Sequence, residues 1–321
     1  MRVFIAIIAA LLAAASSPAH AQAWPNKPIT LVVPFPPGGG TDAFARPLSV
    51  QLSKQLGRPV VIDNRGGAGG TVGASIAAKQ APDGYTFFIG AVHHAIAPSF
   101  YPKLDYNIET DLVPLTIIAN PPQVVVVNPT RVKADNFKDF LDFVRKNPGK
   151  LNYASAGNGT SHHLAGELFK IQSKTFIIHI PYRGAGPALN DLLAGNVDMM
   201  FDGLGSSATH IRSGRIKALA IASPKRSPAF PNLPTSAELG MPEYVVSTWY
   251  GIFGVKGTPK EILDRMHAEV VKAISGPELR DIWANQGSDT TTMTPDQFSK
   301  LLAGDIKRWA DVTKASGAKL D

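Results

Sequence analysis

The chain has 321 residues, 44% of them apolar and 18% charged, with no cysteine and a formal net charge of +7 at neutral pH. The absence of cysteine excludes a disulfide framework, a thiolate nucleophile and a cysteine-ligated zinc. The basic surplus favours anionic partners through long-range attraction, but the Lys and Arg residues are scattered rather than gathered into runs, so no nucleic-acid partner is expected.

The N-terminus opens with Arg2, an apolar run from Val3 to Ala15, Ser16-Ser17-Pro18 and then Ala19-His20-Ala21. A charged start, a short apolar core and an A-x-A site predict a secretory signal peptide over residues 1–21, cleaved after Ala21. The run is too short to span a bilayer, which takes roughly 20 apolar residues. A mature protein soluble outside the cytoplasm is therefore expected, with 31 basic against 25 acidic residues. Its 300 residues exceed what one hydrophobic core usually serves, which predicts two domains.

Short β-branched runs then alternate with helical patterns, the signature of an α/β architecture with mainly parallel strands. The predicted strands are Ile29–Val33, Val60–Asp63, Thr86–Gly90, Gln123–Asn128, Leu151–Ala154, Phe176–Ile180, Val197–Phe201, Ile216–Ile221 and Val245–Val255. Predicted helices between them include Thr41–Leu56, Asn136–Asn147, Ser161–Gln172 and Pro187–Ala194. Beyond Gly257 the pattern is helix upon helix, with Leu263, Met266, Val270 and Ile274 on one face. Ala119-Asn120-Pro121-Pro122 and the Pro-rich stretch Ser223–Pro242 read as crossings between domains. They predict one domain from 22–121 with 240–321, a second from 122–239, and a two-segment hinge between the lobes.

Three loops combine a preceding strand, small residues and a following helix. The first is Pro34-Phe35-Pro36-Pro37-Gly38-Gly39-Gly40-Thr41-Asp42, whose glycines let a ligand approach the backbone and whose Thr41 or Asp42 is placed to cap the helix. The second runs from Tyr153 to Ser161 and the third from Pro181 to Pro187. Helix N-termini carry outward amides and partial positive charge, and open α/β sheets bind ligands at the carboxyl ends of strands. Such loops on two lobes would grip an anion from both sides. Arg183 reads equally as a direct charge on the ligand or as a solvated rim residue.

Other motifs fail on spacing. The Arg65–Thr71 loop lacks the Lys-Ser/Thr ending of a P-loop, and Gly203-Leu204-Gly205-Ser206-Ser207-Ala208 has no acidic residue about twenty positions on to hold a ribose. The pairs His93-His94 and His162-His163 point in different directions on any regular element, so neither is expected to chelate a metal. Gly73-Ala74-Ser75-Ile76-Ala77 sits in a helical pattern, not at a nucleophile elbow. No cofactor is expected, and an extracellular hydrolase is the weaker hypothesis.

Across the whole mature chain the sequence resembles the Bug family, the solute-binding proteins of tripartite tricarboxylate transporters. The resemblance rests on Trp24-Pro25 with Pro28-Ile29, the PFPPGGGTD loop, Val60 to Gly70, Pro82-Asp83-Gly84-Tyr85-Thr86, the segment YASAGNGTSHHLAGELF, Pro181-Tyr182-Arg183-Gly184, and Trp249-Tyr250-Gly251 before Gly257-Thr258-Pro259. It implies a two-lobed type II periplasmic binding-protein fold closing like a Venus flytrap on a small organic carboxylate, with integral-membrane transporter subunits as partners and a monomeric state. A ligand-presenting protein for a membrane sensor is the alternative. The resemblance also implies that one ligand carboxylate is held by Phe35, Gly39, Gly40 and Thr41 on one side and Ser155, Asn158 and Thr160 on the other, partly through water. His94 matches the family's histidine, which makes His93 the extra one and a candidate for specificity, against the reading of a solvent-satisfied rim histidine. Gly184 and Asp202 complete the candidate set with Arg183.

Overall fold

The computed structural model describes residues 24–318, so the predicted signal peptide lies outside the described residues. Among those residues, two five-stranded sheets define two lobes. The first contains β1 (Ile29–Val33), β2 (Val60–Asn64), β3 (Thr86–Ala91), β4 (Leu112–Ala119) and β10 (Tyr250–Val255), in the order β2-β1-β3-β10-β4. The second contains β5 (Gln123–Val127), β6 (Asn152–Ser155), β7 (Ile178–Pro181), β8 (Met199–Gly203) and β9 (Lys217–Ile221), in the order β7-β6-β8-β5-β9. The expected two-lobed α/β architecture is thus the observed one.

The expectation of mainly parallel strands needs correction. β1 is parallel to β2 and β3, and β6 to β7 and β8, but β10 is antiparallel to β3 and β4, and β5 to β8 and β9. Each reversed strand is the first one after the chain crosses from the other lobe. It enters at the carboxyl ends of its neighbours, with Tyr250 opposite Ala91 and Gln123 opposite Gly203, and so must run the other way. β4 is not among the predicted strands, and its apolar run is interrupted by Pro114. Proline removes a ladder donor and is tolerated at a sheet edge, which is where β4 lies.

The crossings also differ from expectation in one place. Residues 120–122 do connect the sheets, but the second traverse runs through Ser247 and Thr248, not through the Pro-rich stretch. Pro122 and Ser247 form an antiparallel bridge, and the amide of Thr248 donates to the carbonyl of Pro121 (3.1 Å). The preceding segment stays on the second lobe: Ser236 Oγ donates to the Tyr244 carbonyl (2.7 Å), and the Tyr244 ring packs on Phe169 and Phe201. The predicted strand Val245–Val255 therefore begins only at Tyr250.

Helices α1 (Gly40–Leu56), α2 (Thr71–Ala78) and α3 (His93–Phe100) belong to the first lobe, and α4 (Phe137–Lys146), α5 (Ser161–Ser173), α6 (Ala185–Ala194) and α7 (Leu204–Arg212) to the second. Local signals explain their ends. Gly57 closes α1 in the left-handed conformation (φ 64°), and Asn136 caps α4 by accepting from the Asp139 amide (3.0 Å). Then α8 (Lys260–Ser275), α9 (Pro277–Asn285) and α10 (Pro295–Ser316) return to the first lobe, burying Met266, Val270 and Ile274 as the helical spacing requires. α10 begins with a capping box between Thr294 and Gln297. It packs on α3 and β4 and reaches α5 of the other lobe. No helix among the described residues is long and apolar enough to cross a membrane.

Candidate ligand-binding cleft

The carboxyl ends of β1, β3, β6, β7 and β8 meet between the lobes, and the helices that follow point their N-termini there. The glycine loop is shaped from inside its own helix. Gly39 is the N-cap of α1 and no side chain caps it, so the expected capping by Thr41 or Asp42 takes another form. The buried Asp42 carboxylate accepts from the Gly38 amide (3.1 Å), from Arg46 Nε (2.7 Å) and from Asn64 Nδ2 (3.2 Å). That hydrogen bond raises the pKa of Arg46. The arrangement leaves the amides of the first turn of α1 directed at the cleft.

Opposite this loop stands the N-terminus of α6, with Gly184 as its N-cap. The backbones approach so closely that a side chain at Gly186 would place its Cβ 2.3 Å from the Pro37 carbonyl oxygen. At Gly40 a Cβ would lie 2.0 Å from the Tyr250 hydroxyl. Glycine is required at both positions by contact rather than by dihedral angle. Phe35 of the first lobe packs with Ala156 and Ala185 of the second in a small apolar cluster.

Between these walls lies a cavity of about 10 Å³ lined by Phe35, Gly39, Gly40, Thr41, His93, Ala156, His162, Ala185 and Tyr250. That volume is about one water, so the lobes are drawn shut and must part to admit an organic acid. None of the lining residues is Lys or Arg; positive potential comes from the helix N-termini.

Five of the predicted residues, Phe35, Gly39, Gly40, Thr41 and His93, thus line the cavity. The others stand behind or beside it. Ser155 is buried, with Oγ 2.6 Å from His179 Nε2 while accepting from the Gly157 amide (3.0 Å). A serine on a histidine nitrogen is the pairing of an activated nucleophile, but this hydroxyl faces the lobe interior, and burial lowers His179 to about 3. Thr160 is the N-cap of α5, accepting from the His163 amide and donating to the Gly157 carbonyl (2.7 Å). The main-chain carbonyl of Asn158 accepts from Tyr101 Oη across the lobes (2.8 Å), while its buried side-chain oxygen has no partner. Arg183 is exposed on the rim. Asp202, the last residue but one of β8, is fully buried, its Oδ2 accepting from Ser206 and Ser207 (2.7 and 2.6 Å).

The histidine pairs separate as neighbours on a helix must. His94 turns into the first lobe, with Nδ1 3.0 Å from both the amide and the carbonyl of Ala91, and burial lowers it to about 4. His93 turns into the cleft, packs edge-on against Phe35 and His162, and accepts the Ser161 amide of the other lobe on Nδ1 (3.0 Å). Desolvation, then His162 and His94, hold its pKa well below 6.5. An imidazole accepting on Nδ1 carries its proton on Nε2. His163 stacks on His179 (4.1 Å), whereas His162 faces the cavity.

Sequence reasoning missed Ala156, His162, Ala185 and Tyr250. His162 was set aside with the pairs, and Tyr250 arrives from the reversed strand β10, whose direction no local pattern carries. Behind the cavity a buried trio joins both crossings to α5: Gln123 Nε2 donates to Ser161 Oγ (2.9 Å) and Thr248 Oγ1 (3.2 Å), which lie 3.1 Å apart.

A family model described as the tripartite tricarboxylate transporter family receptor matches residues 44–318. Protein BugT of Bordetella pertussis is 39% identical over 320 residues, covering 98% of each chain. A Rhodopseudomonas palustris structure with adipate is 34% identical with a TM-score of 0.89, over 92% of this chain and 100% of that one. A second, MatC of the same organism with bound malate, is 33% identical with a TM-score of 0.85, over 90% and 99%. With a family match over most of its length, relatives of this identity and the same two-lobed fold, the chain belongs to the tripartite tricarboxylate transporter receptor family.

Proposed function

We propose that this protein is a periplasmic solute-binding protein that captures a small organic carboxylate between its lobes and delivers it, chemically unchanged, to integral-membrane transporter subunits. The observation that carries this reading is the facing of the α1 and α6 N-termini across a cavity without Lys or Arg. Main-chain amides at helix starts stabilise a carboxylate without a side-chain cation. Relatives solved with adipate and with malate support a diacid or another carboxylate as the ligand. Binding as a monomer and release without turnover are part of the proposal; the Ser155–His179 pair faces away from the cleft and supplies no nucleophile to it.

The test is calorimetry on hits from a thermal-shift screen against a carboxylate library, comparing each acid with its methyl ester. A ligand that binds only the folded, closed form raises the melting temperature by mass action. The acid should bind and the ester should fail, since the site is built for charge. Equal affinities would sink the anion-site reading.

A further inference from the structure

Two buried polar atoms beside the cavity face each other without partners. His162 Nδ1 and Asp202 Oδ1 lie 3.7 Å apart, too far for a hydrogen bond, and neither has another partner. Their side chains are 3% and 0% exposed. Unsatisfied buried groups of this kind are uncommon, because each loses its water without compensation. Both side chains are held in position. His162 is in the first turn of α5, packed edge-on against His93 at 5.6 Å between ring centres. Asp202 is fixed by Ser206 and Ser207 on Oδ2, which leaves Oδ1 as its one unused acceptor oxygen.

We infer that the His162–Asp202 corner is a subsite for a hydrogen-bond-donating substituent on the bound carboxylate, and that the protein takes hydroxy acids in preference to the matching plain acids. This rests on the carboxylate reading of the cleft and adds the chemistry of the ligand's second group. A carboxylate oxygen such as Oδ1 accepts only, so the incoming group must donate; a second ligand carboxylate would meet it with like charge. A hydroxyl donates to Asp202 Oδ1 and, with His162 in its Nδ1–H tautomer, accepts from that ring, so one group satisfies both atoms. An ammonium needs three acceptors, and the corner provides no such set. The polarity of the subsite is set by Asp202, and its reach into the cavity by His162.

The experiment measures affinities of succinate, glutarate and adipate against malate, 2-hydroxyglutarate and 2-hydroxyadipate, with aspartate as the amino counterpart of malate. The wild type should favour the hydroxy member of its best-fitting pair by at least about tenfold, one well-made hydrogen bond to a charged group. His162→Ser should reduce that ratio. Asp202→Asn keeps an acceptor for Ser206 and Ser207 but turns an amide donor toward the corner, so it should bring the ratio to one or invert it. Thermal melts of both variants confirm folding, and retained affinity for the plain acid confirms the carboxylate clamp. Equal wild-type affinities within each pair, aspartate binding tighter than malate, or an unchanged ratio in both variants would overturn the inference while leaving the proposed function standing. Failure of every acid in the series and of every member of the carboxylate library to bind would instead overturn the carboxylate reading itself.

Discussion

The two ends of the cleft are built from different material. At one end, the glycine loop meets the start of α6, and the contact is largely main chain against main chain: Gly39 and Gly186 matter for what they lack. At the other end, His93, His162, Asp202 and Tyr250 meet as side chains, each held by a hydrogen bond or a ring contact from a different element. In the proposed binding mode, a main-chain clamp recognises the charge common to all carboxylates. Side chains can distinguish one carboxylate from another, because changing one of them leaves the clamp intact.

The largest expected effect breaks the clamp. Gly186→Val inserts a side chain against the Pro37 carbonyl of the opposite lobe, so closure is blocked while each lobe keeps its own core. Affinity for any carboxylate should fall more than about 100-fold, since overpacking costs roughly 1–3 kcal/mol and the closed form is lost besides. Solution scattering should show the wild type shrinking with ligand and the variant not. Normal affinity in the variant would mean that the lobes need not meet here.

Next comes His93, which joins the two ends. His93→Ser removes the acceptor of the Ser161 amide, and leaving that buried donor unpaired should cost about 1–3 kcal/mol. Because the lost contact is between lobes, plain and hydroxy acids should weaken alike in calorimetry. Selective loss of one class would return His93 to the role of specificity residue.

Acid should loosen the same contact. His93 and His162 have pKa values lowered by burial in the closed form, so protons favour the form in which they are exposed. Closure is fully favoured above their ordinary value of about 6.5 and declines as pH falls below it, by roughly 1.4 kcal/mol per pH unit for each histidine that titrates. Affinity should therefore drop about tenfold or more from pH 7.5 to 5.5, after correction for the ligand's own ionisation. A flat profile would show that these rings stay buried when the lobes open.

The smallest effect is expected at Arg183. It is exposed on the rim, so Arg183→Ala should change affinity less than about threefold, with any loss in the association rate and sensitive to salt. A loss of tenfold or more would place its guanidinium on the ligand.

Much of this was legible locally. Strand, glycine loop and helix follow one another within 28 residues from Ile29 to Leu56, and Asn136, Gly57 and Thr294 mark helix ends by their own chemistry. Such signals depend on neighbours in the chain, so the α/β alternation, the glycine loops that follow strands and the crossing at Pro121-Pro122 could be read without a structure. β4, with Pro114 inside it, is not legible in that way, because whether a proline is tolerated in a strand depends on whether the strand lies at a sheet edge.

The sequence by itself therefore determined most of the elements, the glycine loops between strand and helix and the family, all properties of contiguous residues. Only the tertiary structure decided the reversal of β5 and β10, the arrival of Tyr250 over Gly40, the separation of His93 from His94, and the facing of His162 by Asp202, forty residues away in the chain. Those pairings depend on which strand lies beside which, and that choice is made by burial summed over both lobes rather than by any local pattern.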